Sequence, residues 1–220
     1  MLIKLIISFV VMLSFSGYVR AGDVVDDTIQ SINVSDISGI QDGIRRGLDV
    51  NYADASGTTM LMLAARSGNP DAVMLLINAG ARVYPTNAFG DTALLIATYG
   101  GHEKIVDILL SKGASIGANP KGWTPLHYAA FAGHPNLAKK FIKSGVNIDR
   151  MTDNGLTALM VASRNGHIEV VKILLSNKAN IQLRDENDKN ALAHALANKN
   201  TDIAALLTAA SNKQQKFNSF

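Results

Sequence analysis

The chain has 220 residues, 47% of them hydrophobic and 18% charged, with 21 lysines and arginines against 18 acids. That length and apolar content can bury a sizeable core, and the near balance of charge excludes a strongly basic surface of the nucleic-acid-binding kind. There is no cysteine, which excludes a disulfide scaffold and a paired-cysteine metal or redox site.

Residues 1–21 read as a separate object. Lys4 gives a positive start, and Leu5 to Phe15 is an apolar run of 11 residues interrupted only by Ser8 and Ser14. Val19-Arg20-Ala21 follows, with small residues where a signal peptidase needs them. This is the pattern of a secretory signal peptide cleaved after Ala21. The competing reading is an uncleaved anchor, for which the run is short, since a membrane span needs ~20 apolar residues. Lys4 and Arg20 lie in this segment and no acid does, so the mature chain carries 19 basic against 18 acidic groups. The expected location is periplasmic or secreted, with no stable membrane insertion after cleavage. A cysteine-free exported chain fits a bacterial periplasm or an extracellular space equally, and the simple signal and absence of a glycan-dense composition favour a bacterial source.

Residues 22–35 are polar and read as the degenerate first helix of an N-terminal cap. Residues 38–46 read as its outer helix, ended by Gly47, and Leu48-Asp49-Val50-Asn51 opens a hairpin. From Gly57 the chain repeats itself. Gly57-Thr58-Thr59-Met60-Leu61 leads through Ala64-Ala65 to Gly68. Gly90-Asp91-Thr92-Ala93-Leu94 leads through Ala97 to Gly101-His102. The fullest copy is Gly122-Trp123-Thr124-Pro125-Leu126-His127-Tyr128-Ala129-Ala130-Phe131-Ala132-Gly133-His134. Gly155-Leu156-Thr157-Ala158-Leu159 leads through Ala162 to Gly166-His167, and a worn copy begins Asp188-Lys189-Asn190-Ala191-Leu192.

Each copy has the signals of a short helix. Thr59, Thr92, Thr124, Thr157 and Asn190 can cap it, Pro125 sits at a first helical position where its missing N–H costs nothing, and Leu126, Ala129 and Ala130 share one face. These caps are spaced 33, 32, 33 and 33 residues apart. A fixed period of this size marks a solenoid. Outer helices are predicted over 71–79, 103–112, 136–144 and 168–177. Gly80, Gly113 and Gly145 follow the first three in the left-handed turn position. Lys178 follows the fourth and should share their positive φ. The last pair, 191–198 and 201–209, lacks the Gly-His turn and reads as the C-terminal cap. Residues 211–220 read as a flexible polar tail.

The run Thr124-Pro125-Leu126-His127-Tyr128-Ala129 resembles the signature of the ankyrin repeat family, over 36–210. The resemblance implies an all-α solenoid of helix-turn-helix pairs joined by short β-hairpin loops. It also implies that His102, His127, His134 and His167 tie neighbouring turns by hydrogen bonds. One hairpin departs from the pattern: Ile116 precedes Gly122 by six residues, where Val50, Val83 and Ile148 precede their glycines by seven. Pro120 lies in this shortened finger, which should be stiffer than its neighbours.

No nucleophile elbow, phosphate loop or metal-protease helix is present, so no enzymatic activity, cofactor or metal is expected. Equivalent histidines lie one repeat apart, about 10 Å at packed-helix spacing, too far to share a metal. A metal site or enzyme built on His127, His134 and His194 is the opposing hypothesis.

The ankyrin resemblance implies a concave surface of hairpin tips and inner-helix edges that binds other proteins. Aligning the repeats places Leu63, Ile96, Tyr128, Val161 and His194 in one row and Arg66, Tyr99, Phe131, Arg164 and Ala197 in a second. Leu63, Ile96 and Val161 are expected to pack between inner helices, and His194 to face the inner surface. Phe89, Lys121 and Trp123 come from the hairpins. Trp123, the one tryptophan, sits where the motif leaves a position exposed. Aromatics and arginine dominate binding hot spots, so the expected partner-binding residues are Arg66, Phe89, Tyr99, Lys121, Trp123, Tyr128, Phe131 and Arg164. The partner would be another protein, met by a monomer. Alternative versions are an immunity or inhibitor protein against an exported toxin and a secreted effector.

Overall fold

The computed structural model describes residues 21–117 and 119–218. The expected signal segment up to Arg20, and the end of the expected tail at Ser219 and Phe220, lie outside the described residues. The described chain is helical: α1 (Ala21–Asn33), α2 (Ile37–Arg45), α3 (Met60–Ser67), α4 (Pro70–Asn78), α5 (Ala93–Tyr99), α6 (Glu103–Ser111), α7 (Pro125–Ala132), α8 (Pro135–Lys143), α9 (Ala158–Asn165), α10 (Ile168–Ser176), α11 (Ala191–Ala197) and α12 (Thr201–Asn218). Six helix-turn-helix pairs result. The only β-pairing among the described residues is an isolated bridge between Ala53 and Thr59, so the hairpin loops are fingers without extended strands.

Helix starts follow the sequence. Thr59, Thr92, Thr124 and Thr157 each accept a hydrogen bond from the backbone N–H three residues on, and Asn190 does the same for Ala193. Helix ends follow it too. After α4, α6 and α8 the chain turns at Gly80 (φ 99°), Gly113 (φ 83°) and Gly145 (φ 80°), and after α10 at Lys178 (φ 64°). Lys178 thus holds the left-handed turn that its register predicts. Ala179 N–H still reaches back to the Leu174 carbonyl at 3.0 Å, as Ala81 reaches Leu76 at 2.9 Å.

The inner helices α1, α3, α5, α7, α9 and α11 pack in sequence, each on the next. Their small, apolar faces (Ala64, Ala97, Ala129, Ala162, Ala195) are fully buried, with Val73, Val106 and Val171 of the outer helices beneath them. Alanines at the contact let the inner helices approach closely while the outer ones supply bulk.

Two expectations at the C-terminus change. α12 does not stop near residue 209 but runs to Asn218, so that 211–218 of the expected flexible tail are helical. The last pair also keeps the interhelical turn in another chemistry. Lys199 takes φ 60°, and Asn200 donates from Nδ2 to the carbonyls of Ser163 at 2.8 Å and Arg164 at 2.9 Å. In the preceding repeats His134 Nε2 and His167 Nε2 meet the carbonyls of Tyr99 and Phe131, each at 2.9 Å. Lys199-Asn200 therefore replaces Gly-His without loss of the link.

Candidate functional site

The concave edge begins with the finger tips. Asp54, Asn87, Asn119 and Asp185 occupy one register, and each uses its side-chain Oδ1 to gather two backbone N–H groups of its own turn at 2.8–3.0 Å. Thr152 is the fifth member and accepts from Leu156 N–H with its hydroxyl. Such turns are fixed by a local side-chain to backbone bond, so residues flanking them are held in place.

Adjacent fingers are then stitched by backbone. Ala88 N–H donates to Ser56 O at 2.7 Å, Asp153 N–H to Lys121 O at 3.2 Å and Glu186 N–H to Asn154 O at 3.3 Å. The same link between the second and third fingers would need an N–H at Pro120, and proline has none. Pro120 packs against Gly90 instead: a Cβ built on Gly90 would lie 2.1 Å from Pro120 Cδ. The finger expected to be stiffer than its neighbours therefore lacks the backbone tie that joins the others.

Side chains bridge the gap. Asn119 Nδ2 donates to Asp91 Oδ1 and lies against the Tyr128 hydroxyl, each at 3.2 Å. Tyr128 Oη donates a short hydrogen bond to the same Asp91 oxygen. Burial, and then the hydrogen bond and charge of Asp91, push the Tyr128 phenol well above the usual tyrosine range. Tyr128 is therefore a standing donor. Sequence reasoning misses Asp91 and Asn119. Asn119 is detectable through its register with Asp54, Asn87 and Asp185, whereas nothing local ties Asp91 to a tyrosine one repeat away.

Beside this triad the aromatic side chains converge. Trp123 stands at 70° to both Tyr128 and Phe131, with ring centroids 5.5 and 5.8 Å away, and Tyr99 stacks on Phe131 at 6.0 Å. With Phe89 and Lys121 they wall an open cavity of about 300 Å³ over Asp91 and Asn119. A wider groove of about 690 Å³ adjoins it, shares Phe89, Asp91, Tyr99 and Tyr128, and carries Arg66 on its far side. Phe89 and Tyr99 are the most exposed of these rings, at 66% and 53%.

Six of the expected residues are thus brought together, and Arg66 joins from the adjoining groove. Arg164 does not line either space; its Nε points to Asn165 at 3.4 Å, one repeat beyond Phe131. Trp123 is not freely exposed as expected. It is half-buried and packs on the core and on His127, with the rings of Tyr128 and Phe131 set against it. Val161 is fully buried, and Leu63 and Ile96 are packed against the core, the packing role expected of them.

His127, His134, His167 and His194 are structural ties. Leu156 O can only accept and Thr124 N–H can only donate, so His127, at 3.1 and 3.3 Å from them, carries its proton on Nε2. Burial lowers the His127 pKa to about 4, against the opposing effect of the Leu156 carbonyl. His194 does not face the concave surface openly. Its side chain is 10% exposed and its Nε2 meets Asp185 Oδ2 at 2.8 Å. Burial opposes ionisation of Asp185, but hydrogen bonds from Lys189 N–H, His194 and Asn187 N–H hold its carboxyl below the usual range. Among the described residues no cluster of His and acidic side chains is arranged to hold a metal ion, and no helix is long and apolar enough to cross a membrane.

A family model described as ankyrin repeats matches the chain three times, over residues 35–120, 61–152 and 131–218. The chain is also similar to a Transient receptor potential cation channel subfamily A member 1 homolog of Caenorhabditis elegans, 36% identical over 105 residues. That match takes in 48% of this chain and 9% of the worm protein.

Proposed function

The chain belongs to the ankyrin repeat family, whose members are in general protein–protein interaction modules, and on that premise we propose that it binds a partner protein through its concave face without catalysing a reaction. The observation that supports this reading most is the convergence of Phe89, Tyr99, Trp123, Tyr128 and Phe131 on one open cavity. Large exposed aromatic patches are contact sites more often than accidents of folding, and rings held by a fixed backbone lose little freedom on binding. The cavity lies at the step where the backbone tie between fingers is missing, so a partner's polar groups can meet the Phe89 carbonyl, to which Pro120 has no N–H to offer.

We further propose that the apolar run Leu5–Phe15 directs export, with the mature chain starting at Gly22 and acting as a monomer in the periplasm or outside the cell. The test is a pull-down of tagged protein from the envelope fraction of its source, with N-terminal sequencing of the recovered bait. A defined partner on a bait beginning at Gly22 is expected. A bait that retains Met1 and stays in the cytosol would refute the export reading.

A further inference from the structure

We propose that the aromatic cavity receives a cationic side chain, lysine or arginine, presented by the partner protein; this rests on the reading of the concave face as the partner surface. Three observations lead there. The first is the wall. Aromatic faces carry the negative part of the ring quadrupole, and a cation within ~6 Å of ring centroids is attracted to them. Trp123 set at 70° to both Tyr128 and Phe131 makes a corner, so a group seated there meets more than one ring at once.

The second is the floor. The Asp91 carboxylate takes its hydrogen bonds from two neutral donors, the Tyr128 hydroxyl and the Asn119 amide. Among the described residues no lysine, arginine or histidine lies within ion-pair distance of it, although Asp27, Asp42, Asp107, Glu169, Asp185 and Asp188 all have such partners. Lys121 and Arg66 stand exposed on the rims and do not reach it. Asp91 thus stands beside the rings with neutral hydrogen-bond partners and no cation among the described residues to pair with it. An apolar side chain would bury that carboxylate unpaired, which is costly, whereas a cation would pair it.

The third is size. A volume of about 300 Å³ lies at the small end of the ~300–1,000 Å³ of ligand pockets, with room for one whole lysine or arginine side chain.

Trp123 is the chain's one tryptophan, so its fluorescence reports the cavity directly. The full chain is titrated with the acetylated, amidated peptides Gly-Lys-Gly, Gly-Arg-Gly and Gly-norleucine-Gly, and with choline. The lysine and arginine peptides are expected to half-saturate the signal at concentrations about tenfold or more below the norleucine peptide. Asp91→Asn and Tyr99→Leu should each erase that difference with the circular dichroism spectrum unchanged; Tyr99 is exposed enough that folding does not depend on it. Equal response to norleucine would overturn the assignment in favour of a purely apolar contact. Response to choline alone would overturn it in favour of a free quaternary ammonium ligand. If no peptide discriminates while Tyr99→Leu abolishes capture of the partner, the cation assignment falls and the partner surface stands. If Tyr99→Leu leaves capture intact, the surface itself is misplaced and the assignment falls with it.

Discussion

Tyr128 donates a hydrogen bond to Asp91 across a repeat boundary, from a position 37 residues further along the chain. The bond joins an inner helix to the finger of the preceding repeat, at the step where Pro120 removes the backbone link. Tyr128→Phe should therefore loosen the contact between the second and third fingers. A hydrogen bond to a charged group contributes ~1.5–3 kcal/mol, and partial exposure here reduces the expected loss to about 1–2 kcal/mol in urea unfolding. The phenol pKa is raised in the folded state, so this contribution is complete below a pH of about 10 and is lost as pH rises further. Absorbance titration should show one tyrosine ionising only with unfolding.

His127 sets the acid limit. Its folded pKa of about 4 lies below the unfolded value of 6.5. A depressed pKa gives stability that is full above the unfolded value and lost as pH falls toward the folded one. Protonation also removes the acceptor that Nδ1 offers to Thr124 N–H. Stability should drop by about 3 kcal/mol between pH 6.5 and 4, since each tenfold difference in proton affinity between the folded and unfolded chain is worth ~1.4 kcal/mol. His127→Gln, which can still reach back to the cap, should flatten that slope. An unchanged slope would assign the acid sensitivity elsewhere.

Gly80 and Gly90 separate two effects of one substitution. Both have positive φ, but a Cβ meets nothing within 4 Å at Gly80 and Pro120 Cδ at 2.1 Å at Gly90. Gly80→Ala should cost about 1 kcal/mol from backbone conformation alone. Gly90→Ala adds an overpacking cost of ~1–3 kcal/mol and should be clearly worse in urea unfolding. Equal losses would mean that the Pro120 ring moves aside freely.

Lys178 holds φ 64° where its equivalents are glycine. Lys178→Gly should stabilise the chain by under about 1 kcal/mol, since relief of the left-handed strain is partly offset by a looser unfolded chain. Hydrogen exchange should place the gain around α10 and α11, because solenoid stability is a sum of local terms. A destabilised variant would mean that the lysine stem packs usefully.

The repeat, the caps and the turn at Lys178 are legible in the sequence because each is a local signal in a fixed register. The aromatic cluster is legible for the same reason: Tyr99 and Phe131 are equivalent positions, and Trp123 precedes a recognised cap. What is not legible depends on stacking between repeats. Arg164 shares a row with Phe131 but lines neither the cavity nor the groove. Register alone puts His194 on an exposed edge, yet Asp185, nine residues earlier, draws it in. Asn119 stands in the same relation to Tyr128. The polar turn residues Lys199 and Asn200 replace Gly-His by geometry that their side chains do not advertise.

The proposed partner surface is the concave aromatic face and not the outer helices. Recovery of the partner from envelope extract should be compared for tagged wild type, Tyr99→Ala and Lys143→Ala. Tyr99 is 53% exposed on the concave edge, and Lys143 is exposed on outer helix α8. Tyr99→Ala should reduce recovery about tenfold, a loss of ~1.4 kcal/mol, while Lys143→Ala matches wild type. Full recovery with Tyr99→Ala and loss with Lys143→Ala would contradict that placement of the partner.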